Sequence, residues 1–62
     1  MGSNYLDPKE KYFIEHSGTH YDHVKGPNGE KFLREKSTGK IYSSNGKTQQ
    51  EFDSNGNLRN KN

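Results

Sequence analysis

Apolar residues come in short islands along this chain, each followed by a polar turn. The islands are Tyr5-Leu6, Tyr12-Phe13-Ile14, Tyr21 with Val24, Phe32-Leu33 and Ile41-Tyr42, then Phe52 and Leu58 singly. In the second half Asn28-Gly29, Thr38-Gly39, Asn45-Gly46 and Asn55-Gly56 recur every seven to ten residues. Such pairs accept the positive φ of tight hairpin turns. Between them lie segments 31–35, 40–44 and 48–53 and a stub at Leu58-Arg59. This punctuation predicts a mainly β fold: a small antiparallel β-meander of three to five strands, with turns at 26–29, 37–39, 45–46 and 54–57.

The first third reads less cleanly. Asp7-Pro8-Lys9-Glu10 has the residue types that open a helix, an N-cap acid followed by proline. Residues 11–16 are aromatic and β-branched, and their three consecutive apolar positions match neither the helical nor the strand period. The preferred reading is one turn at 7–10 followed by a strand at 11–16, so that any N-terminal helix is short. A helix over 8–16, ended by Gly18, is the alternative. Residues 19–25 then form a central strand in which His20, Asp22 and Val24 share one face. Tyr21, His23 and Lys25 take the other.

Composition narrows this further. Only 23% of the 62 residues are apolar, and the mean hydropathy is −1.49. One small domain over residues 1–62 is expected, with 1–4 and 60–62 frayed. Its core must be thin, so a homodimer burying Phe32, Ile41 and Phe52 is expected, or else a marginally stable monomer. The chain has no cysteine, which excludes disulfides and thiolate zinc sites. No apolar run is long enough to span a membrane, and no membrane partner is expected.

The net charge of +2 is unevenly spread. Lys9 and Lys11 face Asp7, Glu10, Glu15 and Asp22, leaving −2 over residues 1–24. Residues 25–49 carry Lys25, Lys31, Arg34, Lys36, Lys40 and Lys47 against Glu30 and Glu35, for +4. A basic middle beside a histidine-bearing strand suits an RNA-cleaving surface. Equally, the lysines would solvate exposed hairpins.

His20-Tyr21-Asp22-His23 is the one segment with candidate chemistry. His20 and Asp22 would face one ion, with His16 adding a ligand, but His23 points away; no dedicated metal and no cofactor is expected. RNA cleavage by general acid–base chemistry needs only a proton acceptor, a proton donor and cations for the phosphate. His20, Asp22, His23 and Glu35 are the candidate catalytic groups. Tyr21, Lys25, Lys31, Arg34 and Arg59 are the candidate substrate contacts.

The run from His20 through Gly26-Pro27-Asn28-Gly29 to Glu35, followed by Thr38-Gly39-Lys40, resembles the C-terminal toxin domains of bacterial polymorphic toxins. In rhythm, residues 19–59 are similar to the ribonuclease domain of ribosome-cutting colicins. That resemblance implies a small twisted-sheet, metal-independent ribonuclease using an Asp, a His, a Glu and a late Arg. The matching positions are Asp22, His20 or His23, Glu30 or Glu35, and Arg59. It also implies RNA or the ribosome as target, an immunity protein as partner, and action in the cytoplasm. The other functional class is a non-catalytic β-module that binds a protein or nucleic-acid partner, such as an inhibitor, as a homodimer where the core demands it.

Overall fold

The computed structural model describes residues 4–61. Among them six strands form one antiparallel sheet: β1 (Phe13–Ser17), β2 (Tyr21–Lys25), β3 (Lys31–Glu35), β4 (Ile41–Ser43), β5 (Gln49–Phe52) and β6 (Leu58–Asn60). Their spatial order is their chain order, so the sheet is a meander. The expected count of three to five strands is therefore corrected to six. The Leu58 stub is a full partner, with Phe52, Glu51 and Gln50 of β5 facing Leu58, Arg59 and Asn60.

The turns follow their residue types. Gly29, Gly46 and Gly56 donate to the carbonyls of Gly26, Ser43 and Asp53, three residues back. The φ angles of these three glycines lie between 75° and 84°, a region costly for a residue with a Cβ. The third turn is locked by its own acid: Asp53 Oδ1 accepts from Asn55 N at 2.9 Å and Asn57 N at 3.0 Å.

Residues 7–10 make the expected single turn, with Glu10 N donating to Asp7 O at 3.0 Å. No helix occurs among the described residues, so the alternative over 8–16 is not adopted. Two contacts explain why. Asp7 Oδ1 accepts from Lys11 N and Tyr12 N, both at 2.8 Å, four and five residues on, beyond the positions an N-cap serves. Glu10 itself sits at φ 58°, outside the right-handed helical region.

Strand alternation and the observed register put Val24, Phe32 and Ile41 on one face of the sheet. That face carries the core of Tyr12, Val24, Ile41 and Leu58, with Leu6, Ile14 and Phe32 packed against it. Each fully buried side chain of this kind contributes about 1.5–3 kcal/mol. Tyr12 precedes β1 and lies over the face, its ring edge-on to Phe32 at 5.8 Å and to Phe52 at 5.6 Å. Lys11 Nζ reaches Asn57 Oδ1 at 2.8 Å. The sheet thus coils until the entrance of β1 meets the β5–β6 turn.

The three residues expected to form the apolar stripe are covered to different degrees within the single chain. Ile41 is buried and Phe32 half-buried in the single chain, while Phe52 stays 37% exposed. Backbone hydrogen bonds also reach residues 4 and 61. Asn4 O accepts from Ile14 N, and Lys61 N donates to Gln49 O, both at 2.8 Å. Asn60 belongs to β6 and accepts from Gln50 Nε2 at 2.6 Å. Residues 1–3 and 62 lie outside the described residues.

Candidate functional site

Asp22 is turned inward by β2. It is only 5% exposed and stands between Ser17 of β1 and Arg34 of β3, its direct cross-strand neighbours. Ser17 Oγ donates to Oδ1 at 2.8 Å, and Arg34 Nη1 donates to Oδ2 at 3.0 Å. Lys36 Nζ lies 3.8 Å from Oδ1. Burial pushes the Asp22 carboxyl up, but the Ser17 and Arg34 hydrogen bonds and the two cations outweigh it. The carboxyl is held below the usual aspartate range.

His20 is not the strand-face neighbour of Asp22 that alternation implies. β2 begins at Tyr21, and His20 falls in the bend before it, exposed. Its carbonyl accepts from Lys36 N at 3.0 Å, which ties the β1–β2 turn to the β3–β4 turn. There Thr19, His20, Tyr21, Glu35, Lys36 and Ser37 line a shallow depression of about 580 Å³. Tyr21 and Glu35 face each other across β2 and β3. Glu35 Oε1 accepts from Thr38 Oγ1 at 2.6 Å, which fixes the carboxylate at the rim.

The remaining candidates go elsewhere. His23 lies on the face opposite Asp22, opposite Leu33 in β3 and beside His16 in β1. Lys25 sits at the far end of β2, facing Phe13 and Lys31. Lys31 is paired with Glu15. That hydrogen bond, against a smaller effect of burial and with the charges of Lys31, Lys25 and His23, holds the Glu15 carboxyl below its usual range. Arg59 pairs with Asp53 at 2.9 Å on the β5–β6 hairpin. Asn57 N and Arg59 depress the Asp53 carboxyl, against burial and with Asn55 N assisting.

Three sequence candidates are therefore brought together, His20, Tyr21 and Glu35, with Asp22 and Arg34 on the core face, and His23, Lys25, Lys31 and Arg59 apart. Sequence reasoning passed over Lys36, although it follows Glu35 in the basic middle of the chain. Among the described residues no group of three or more His, Cys, Asp or Glu side chains converges to hold a metal ion. No family model, curated protein or solved structure matches the chain.

Proposed function

We propose that this chain is a small β-module that binds single-stranded RNA at the depression between residues 19–21 and 35–37. The observation that carries the reading is Tyr21, 40% exposed, lining the same depression as His20 and Lys36. An exposed aromatic ring offers a stacking surface to any base, worth about 1–3 kcal/mol per base. Lys36 lines the same depression with its side chain 40% exposed, and although its Nζ stands 3.8 Å from Asp22 Oδ1 it is the cation at hand for a phosphate. The depression, about 580 Å³, lies within the roughly 300–1,000 Å³ of small-ligand sites, enough for about one nucleotide.

The second reading is cleavage at that place, making the chain a metal-independent ribonuclease of toxin type. It is favoured by His20 and Glu35 lining one depression, an imidazole and a carboxylate where acid–base chemistry wants both. Asp22 has a different part in it from the one its spacing implied. It anchors Arg34 and Lys36 rather than orienting His20.

Fluorescence anisotropy with labelled single-stranded RNA tests the first reading, and gels of total RNA and ribosomes incubated in excess EDTA test the second. Salt-dependent binding with intact RNA supports the module, and discrete cleavage supports the enzyme. Absence of binding at low salt for every RNA tried overturns both.

A further inference from the structure

The β1–β2 hairpin carries a second histidine arrangement that the RNA reading leaves unused. His16 and His23 are direct cross-strand partners. Both are exposed, and their ring centroids stand 5.4 Å apart with planes tilted by 40°. Among the described residues neither imidazole has a hydrogen bond or ion pair that would occupy it. Neither residue lines the depression at His20.

A backbone irregularity creates the pair. Ile14 faces Val24, so an unbroken ladder would bring Glu15 opposite His23. The register shifts between Ile14 and His16, and His16 takes that position instead. Bulges of this kind re-aim side chains and are frequent beside functional sites. Gly18 is required by the backbone beside the pair rather than by the imidazole: a Cβ there would lie 2.9 Å from Tyr21 O.

The spacing fits a shared ion. Imidazole nitrogens ligate zinc at about 2.0–2.1 Å in tetrahedral geometry, and a ring nitrogen lies roughly 1.2 Å from its centroid, so two rings on one ion have centroids about 5.2 Å apart. The geometry points to His16 and His23 as an open, two-imidazole site for one late first-row divalent cation, Cu²⁺, Ni²⁺ or Zn²⁺. Water completes the coordination. Imidazole favours these ions over Mg²⁺ and Ca²⁺, which take oxygen ligands, and Cu²⁺ binds tightest in the series. Glu15 does not join as a third ligand, because it is committed to Lys31.

Calorimetric titration of tag-free protein with Cu²⁺ and Zn²⁺ in a non-chelating buffer tests the site. One saturable ion per chain is expected, with Cu²⁺ tighter than Zn²⁺ and no heat from Mg²⁺. His16→Ala and His23→Ala should each weaken Cu²⁺ binding about tenfold or more, as loss of one of two ligands requires. His20→Ala should leave it unchanged. All three positions are exposed, and far-UV spectra of the variants check that the sheet persists. Absence of saturable binding to Cu²⁺ and Zn²⁺, or an equal loss in His20→Ala, overturns the site. Either result leaves RNA binding at the depression untouched.

Discussion

The phenol oxygen of Tyr12 accepts a hydrogen bond at 3.1 Å from the backbone N–H of Leu58, a residue 46 positions away. This bond joins the entrance of the sheet to its last strand and satisfies a buried donor on the outer edge of β6. Tyr12→Phe removes the acceptor and strands that donor, at an expected cost of about 1–3 kcal/mol. Tyr12→Ala also removes the ring between Phe32 and Phe52, at about 3–5 kcal/mol, comparable with the whole stability of a domain this size. Urea titration should show Tyr12→Phe folded at a lower midpoint and Tyr12→Ala largely unfolded in water.

Glu10 occupies a position that asks for glycine. With φ at 58° it ends the Asp7-Pro8-Lys9-Glu10 turn as Gly56 ends the turn at Asp53. The left-handed region costs a residue with a Cβ roughly 1–2 kcal/mol, partly offset by the greater entropy glycine loses on folding, about 0.5–1 kcal/mol. Glu10→Gly should therefore stabilise the protein by about 0.5–1 kcal/mol. A lower melting temperature than the parent chain would refute the turn assignment.

Acid should weaken the fold through Asp22. Its folded carboxyl lies below the usual aspartate value, so the unfolded chain binds more protons in acid. The resulting stabilisation is complete above the unfolded pKa, about 3.9, and is lost as pH falls through the folded value. Glu15 and Asp53 act with the same sign. Urea midpoints should fall as the pH drops below the ordinary aspartate range, about 3.9. In Asp22→Asn the stability at neutral pH should drop and the fall in acid should flatten. An unchanged pH slope in that variant would mean Asp22 is not linked to folding.

The RNA reading sorts the cations by position. Lys36→Ala and Tyr21→Ala should weaken RNA binding, the first with a salt slope reduced by about one phosphate contact. Arg59→Ala should be nearly silent, because Arg59 is engaged by Asp53 at the other end of the sheet. If cleavage is seen, His20→Ala should lower its rate by about 10²–10⁴-fold and Glu35→Gln should impair it. Full cleavage by both variants would remove the acid–base assignment.

Assembly follows from where the core lies. Tyr12, Val24, Ile41 and Leu58 are buried without a second copy, so sedimentation at micromolar concentration should give a monomer of modest thermal stability. A concentration-dependent dimer would point to Phe52, the core-side ring left 37% exposed.

Much of the sheet was legible because turn chemistry is local. Asn28-Gly29, Asn45-Gly46 and Asn55-Gly56 required left-handed glycines wherever they fell, and the segment 31–35 between the Asn28-Gly29 and Thr38-Gly39 turns is β3 to the residue. What stayed hidden depended on distant partners. Leu58–Asn60 is three residues long and has no strand pattern of its own; it becomes β6 because β5 pairs with it and Tyr12 caps its edge. The expected His20–Asp22 pair assumed a strand starting at residue 19, whereas β2 starts at Tyr21, so the alternation never reaches His20. Asp22 read as chemistry because the sequence does not show that Ser17, Arg34 and Lys36 will surround it. His16 and His23 meet through one bulged residue, and a register shift leaves no mark on composition or period. Local backbone preference thus set the turns, while pairing across the sheet decided which side chains became neighbours.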